Sequence, residues 1–211
     1  MFDAVLFDMD GLLLDSERVL MHAWTAAAAE EGIAIRPEIY TGVIGRAAQD
    51  SQRLFVEMFG GAEVHARLRR KVDHALGRDR GPPVFPLKQG VVELLGQLRE
   101  QGVPCAVASS SAADEIRHRL AAVGVLQHFD AVAGGNEVTR GKPDPAVYEL
   151  AAARLGIPAR RCIAFEDSEN GARAALAAGA ALVVVPDLRH PPEDITARLD
   201  ALSADPAVHG I

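Results

Sequence analysis

From residue 85 onward the chain keeps one rhythm: short apolar runs alternate with longer helical patterns, and Gly, Pro or Asp stands at the joints. Strands separated by helices pair in parallel, because each crossover must carry the chain back along the sheet. The rhythm therefore predicts an α/β fold, a parallel sheet flanked by helices. The expected strands are Ala4–Phe7, Cys105–Ala108, Ala131–Ala133, Cys162–Phe165 and Leu182–Val185. Helices are expected over Val92–Leu98, Ile116–Val123, Val147–Leu155 and Ala172–Ala178, stopped by Gly102, Gly124, Gly156 and Gly179.

The first strand stands apart from this array. Residues 16–80 contain no convincing strand and read as helix around Leu20–Ala28, Leu54–Phe59 and Val64–Leu76. An insertion of this size is expected to be an all-helical cap domain over residues 16–80, bounded by Asp15-Ser16 and by Gly81-Pro82-Pro83. Residues 1–15 and 81–211 would then form the core domain. Within the insertion, Val64, Leu68, Val72 and Leu76 recur every four positions, so the basic run Arg67-Leu68-Arg69-Arg70-Lys71 is the solvated face opposite that stripe.

Composition narrows the partners. A chain that is 49% hydrophobic and 24% charged is globular. A formal net charge of -7 opposes a polyanion, so no nucleic acid partner is expected. Acids interrupt the apolar run at Met1–Asp8, which predicts neither a signal peptide nor a membrane span there. Cys105 and Cys162 lie in apolar runs as buried, reduced thiols, the pattern of a cytoplasmic protein.

Polar groups collect where the strands should end. Asp8-Met9-Asp10-Gly11 follows the first strand, at the sheet edge where open α/β folds bind ligands, although such an Asp pair can also be a turn signal or helix cap. Ser109 follows the second strand, Lys142 the third, and Glu166-Asp167 the fourth. Only three of the 22 basic residues are lysines (Lys71, Lys88 and Lys142), so a lysine here points to a compact charge of the kind that neutralises phosphate. Asp144-Pro145 reads as a helix cap and first helical residue.

Asp8-Met9-Asp10-Gly11, Ser109, Gly141-Lys142-Pro143-Asp144-Pro145 and Phe165-Glu166-Asp167-Ser168-Glu169-Asn170-Gly171 resemble, in order, the four signature motifs of the haloacid dehalogenase superfamily. The similarity extends over the whole chain. The chain resembles the branch that contains beta-phosphoglucomutase and small sugar-phosphate phosphatases. The resemblance implies a Rossmann-like core, Mg²⁺ as cofactor and a small phosphorylated metabolite as partner, the chain acting as a monomer or weak homodimer. It implies Asp8 as the nucleophile that becomes an aspartyl-phosphate and Asp10 as general acid, then base. Ser109 and Lys142 would stabilise the phosphoryl oxygens, while Asp8, Asp10 (through its backbone carbonyl), Glu166 (directly or through water) and Asp167 would bind the metal. Gly11, Ser110 and the cap residue Arg46 would contact substrate, Arg46 from the loop Gly42-Val43-Ile44-Gly45-Arg46.

Departures from the family pattern narrow the activity. Beta-phosphoglucomutase carries a cap histidine where this chain has Leu20, and a lysine-asparagine pair where it has Ala112-Ala113. His22 is about half a helical turn away from position 20 and would face elsewhere. Water is therefore the expected phosphoryl acceptor, and the mutase is the alternative. A dehalogenase would not need an acid at Asp10, a phosphonate-cleaving relative would need a better-placed cap lysine than Lys71, and a catalytically dead binding module would not keep every acid. Trp24 is expected to pack inside the cap.

Overall fold

The structure, a computed structural model, describes residues 2–36, 40 and 48–188. Five strands, β1 (Ala4–Phe7), β2 (Cys105–Ser109), β3 (Ala131–Gly134), β4 (Cys162–Glu166) and β5 (Ala181–Val184), form one sheet in the order β3-β2-β1-β4-β5. Every pairing is parallel: Phe7 lies beside Val107 on one side and Phe165 on the other. All five expected strands are present. Three run one residue further than the apolar pattern, because the backbone ladder continues through Ser109↔Gly134 and Glu166↔Val184, where the side chains have turned polar or vanished.

The helices are α1 (Ser16–Ala29), α2 (Ala48–Met58), α3 (Ala62–Ala75), α4 (Val91–Glu100), α5 (Ala113–Ala122), α6 (Ala146–Leu155) and α7 (Glu169–Ala177). The period of two along each strand gives the sheet two different faces. Ala4, Leu6, Ala106, Ala108 and Ala164 face α6 and α7, which answer with Ala151, Ala152, Ala172, Ala174 and Ala175. Val5, Phe7 and Val107 face larger side chains, among them Met9, Phe85, Leu95, Ile116 and Leu120. Phe7 stacks on Phe165 there, with ring centroids 5.3 Å apart. The architecture is the Rossmann-like α/β sheet that the sequence implied.

Helices α1 to α3 have a hydrophobic cluster of their own, built on Trp24, Ala27, Ala28, Tyr40, Phe59, Leu68 and Val72. Trp24 is stacked on Phe55 at 4.8 Å and on Phe59 at 5.4 Å, so it packs inside this unit as expected. The basic face of α3 is solvated and tied to the residues just after α1 by Arg67–Glu31 at 2.8 Å and Lys71–Glu30 at 2.9 Å. Exposed pairs of this kind add little stability.

The chain order places the site. From β1 the chain moves outward through β2 to β3, then crosses back to β4 on the other side of β1. Loops therefore diverge at the C-terminal ends of β1 and β4, leaving the crevice where doubly wound sheets bind ligands.

Candidate active site

Asp8 is the first residue beyond β1, and its amide still donates to the Phe165 carbonyl at 3.1 Å, which fixes the backbone against β4. Its side chain enters a cavity of ≈ 280 Å³ that is also lined by Asp10, Ser109, Ser110, Lys142 and Asp167. Residues from four separate loops thus meet at one sheet edge.

Lys142 Nζ donates to Asp8 Oδ1 and to Glu166 Oε1, both at 2.6 Å. Burial alone would push this lysine down, but the facing carboxylates of Asp8 and Glu166 hold it above its ordinary value, so it stays charged. Glu166 is fully buried, and its oxygens are saturated. Besides Lys142, Oε1 accepts from the Tyr148 hydroxyl at 2.6 Å. Oε2 accepts from the amides of Asp167 and Ser168 at 3.2 and 3.3 Å and from the Ser168 hydroxyl at 3.1 Å. A carboxylate has about four acceptor positions, so little of Glu166 is left for a metal. Its geometry is that of a clamp on Lys142.

One carboxylate oxygen each from Asp8, Glu166 and Asp167 lies within 4.8 Å of the others. Burial, followed by repulsion from Asp8 and Glu166, raises Asp167 to about 9; burial raises Asp8 to about 7 against the pull of Lys142. Among the described residues Lys142 is the one cation that offsets both. Asp167 Oδ1 is buried with no hydrogen-bond partner. An orphaned carboxylate oxygen beside a second buried carboxylate, with oxygen the only donor atom, fits a hard divalent cation such as Mg²⁺.

The Asp10 carboxylate points elsewhere. Its Oδ2 accepts from Ser111 Oγ at 3.0 Å and its Oδ1 from Arg119 at 2.9 Å. Ser109 is buried and its Oγ accepts the Ser111 amide at 3.1 Å, while Ser110 is exposed on the cavity rim. Gly11 closes the turn: its amide donates to Leu14 O at 2.9 Å and Ser16 Oγ at 3.2 Å. Its lack of a side chain has another use, since a Cβ at this positive-φ position would sit 2.1 Å from Asp167 Oδ2. Arg46 and the rest of the loop 42–46 lie outside the described residues. His22 is exposed and does not line the cavity, whereas Leu20 does.

Three residues that contribute to the site were not singled out in the sequence. Tyr148 reads as a core aromatic of α6, and only its contact with Glu166 reveals a polar role. Glu17 reads as an ordinary first-turn acid of α1, yet it lines the cavity. Burial and the neighbouring charges of Asp10 and Asp187 raise it to about 7. Arg119 is one arginine among many, and its burial is invisible in a linear pattern.

Residues 2–179 match the haloacid dehalogenase-like hydrolase family. The chain belongs to that family. It is 32% identical over 179 residues to a validoxylamine A 7'-phosphate phosphatase from Streptomyces hygroscopicus subsp. limoneus, covering 85% of this chain and 83% of the relative. It is 31% identical to a beta-phosphoglucomutase from Bacillus subtilis, over 83% of this chain and 80% of the other. Among solved structures, a family hydrolase from Deinococcus radiodurans R1 with bound phosphate and sodium superposes with a TM-score of 0.74 at 28% identity, covering 98% and 97% of the two chains. Membership makes the chain a hydrolytic enzyme of this family. No described helix is long and apolar enough to cross a membrane.

Proposed function

We propose that this enzyme hydrolyses small phosphomonoesters, sugar phosphates or related metabolites, through a phosphoryl group carried on Asp8. The observation that carries the reading is the Asp8 carboxylate standing in the cavity, held by Lys142 at 2.6 Å beside the unpartnered oxygen of Asp167. An Asp8 oxygen attacks phosphorus, the bond from phosphorus to the ester oxygen breaks, and Asp10 gives that oxygen its proton. Water then attacks the aspartyl-phosphate while Asp10 takes back a proton, releasing phosphate and restoring the Asp8 carboxylate. Asp8 and Asp167 would hold Mg²⁺, with the Asp10 backbone carbonyl as a further oxygen; when bound, the metal neutralises charge on the phosphoryl oxygens. Lys142 and the Ser109 hydroxyl share that charge.

Water as acceptor is favoured over a second sugar. Leu20 lines the cavity, and Ala112 and Ala113 begin α5, so neither the histidine nor the lysine-asparagine pair of the mutase has a counterpart at these positions. Helices α1 to α3 act as the cap that covers the substrate and limits water. The buried free thiols of Cys105 and Cys162 agree with a cytoplasmic enzyme.

The test is phosphate release from a panel of metabolites with Mg²⁺, run beside conversion of beta-glucose 1-phosphate with a bisphosphate primer. Turnover of monoesters without net isomerisation is expected, and Asp8→Asn should abolish it while leaving the circular dichroism spectrum unchanged. An Asp8→Asn variant with near-normal activity would sink the nucleophile assignment.

A further inference from the structure

The cavity contains a second buried cation. Arg119, on α5, is only 5% exposed. One guanidinium nitrogen donates to Asp10 Oδ1 at 2.9 Å, another bonds Glu115 Oε1 one turn earlier on the same helix, and the guanidinium carbon lies 5.0 Å over the Phe85 ring. The arrangement at Asp8 has the same parts. There Lys142 grips the nucleophile, Glu166 anchors Lys142, and Lys142 Nζ lies 5.0 Å from the centroid of the Tyr148 ring. In each case a buried cation joins a carboxylate of the reaction to one outside it, over an aromatic ring.

We propose that Arg119 is the positioning residue for Asp10, the counterpart of what Glu166 and Lys142 do for Asp8. The inference rests on the reading of Asp10 as general acid and base, and deepens it. Asp10 stands in the turn after β1, where no continuous ladder or helix orients its side chain. Proton transfer requires a heavy-atom approach of about 3 Å, so a carboxylate free to rotate there would lose much of its effect. Arg119 fixes Oδ1 and Ser111 Oγ fixes Oδ2, leaving a free position on the carboxyl that carries the proton to the ester oxygen and then accepts one from the attacking water. Arg119 is itself held on three sides, by Glu115, by Phe85 and by its own helix. Its single positive charge is shared by two carboxylates, which leaves it poorly suited to receive an anionic group of a substrate. Stability does not account for the arrangement, because burying a charged network costs several kcal/mol that an apolar cluster would avoid.

The experiment compares wild type, Asp10→Asn, Arg119→Met, Arg119→Lys and Glu115→Gln on two esters with Mg²⁺. A sugar phosphate departs as an alkoxide and needs the proton; 4-nitrophenyl phosphate departs as a stable phenolate and does not. Arg119→Met is expected to lose about 10²-fold in kcat on the sugar phosphate. Its pre-steady-state burst of nitrophenolate should stay within about threefold of wild type, the pattern also expected of Asp10→Asn. Arg119→Lys should recover part of the sugar-phosphate rate, and Glu115→Gln should fall between. A nitrophenolate burst of Arg119→Met slowed as much as its sugar-phosphate kcat, or a normal rate of Arg119→Met on the sugar phosphate, would overturn the proposal. Should Arg119→Met fail to fold, Ser111→Ala and Glu115→Gln carry the same comparison. Wild type releasing phosphate from neither ester would remove the hydrolase reading and this inference together, whereas normal wild-type turnover with the variant's burst slowed as much as its sugar-phosphate kcat removes this inference alone.

Discussion

Replacing Gly171 by alanine sets two effects of opposite sign against each other. Gly171 lies in the first turn of α7, where alanine is the better helix former by about 1 kcal/mol. On helix propensity alone Gly171→Ala should stabilise the protein. The added Cβ, however, would lie 1.8 Å from Glu166 Oε1 and 2.2 Å from Oε2. Non-bonded carbon and oxygen do not approach closer than about 3 Å, so the carboxylate has to retreat by roughly 1 Å. A loose surface glutamate would do so at small cost. Glu166 is completely buried, and Lys142 and Tyr148 hold Oε1 at 2.6 Å, so the retreat breaks or bends both contacts. Each hydrogen bond to a charged group contributes about 1.5–3 kcal/mol, so after the helix gain the net loss is about 2–5 kcal/mol. For a chain of this size that lowers Tm by on the order of 10 °C. Thermal unfolding followed by circular dichroism reads the stability, and phosphate release reads the clamp on Lys142, so both should fall together. A Gly171→Ala protein as stable and as active as wild type would refute the claim that Glu166 is immobilised.

Other expectations follow from the same geometry. Folded Asp8 and Asp167 hold protons more tightly than the unfolded chain, so their contribution to metal-free stability is full below the ordinary carboxylate range and is lost as pH rises through about 7 and about 9. Added Mg²⁺ should therefore raise Tm more at about pH 8 than at about pH 5.5; equal shifts, or none, would speak against a cation between them. Tyr148→Phe removes one donor to Glu166 Oε1 and should cost about 1–3 kcal/mol in stability with a fall in kcat and little change in KM; unchanged kcat would confine Tyr148 to packing.

The sheet was legible because apolar runs and glycine stops report directly on burial and chain reversal. Strand ends were less so, since a run that ends in Ser109 or Glu166 stops looking like a strand one residue before its hydrogen bonds stop. Asp8 and Asp167 stood out because charged residues directly after buried strands are unusual away from a site, and Lys142 because lysine is rare in an arginine-rich chain. Arg119, Tyr148 and Glu17 did not, because each sits on a helix where its type is common, and only the fold shows that its polar end turns inward. The role of Glu166 needed coordinates as well, because a sequence shows a carboxylate but not whether its lone pairs are already taken.

The alanine-lined face of the sheet bears on how this enzyme tolerates change. Helix α6 begins four residues after Lys142 and carries Tyr148, while α7 begins three residues after Glu166 and carries Gly171. Methyl groups meeting methyl groups at Ala151, Ala152, Ala164 and Ala172 leave few longer side chains, such as Leu6 and Leu182, that could fold aside. A bulkier residue there has to lift a whole helix, moving the lysine's supports with it. The phenylalanine- and leucine-rich face opposite can repack around a substitution. Sequence drift should therefore be absorbed on one side of the sheet and felt by the chemistry on the other, however far from the cavity the substitution lies.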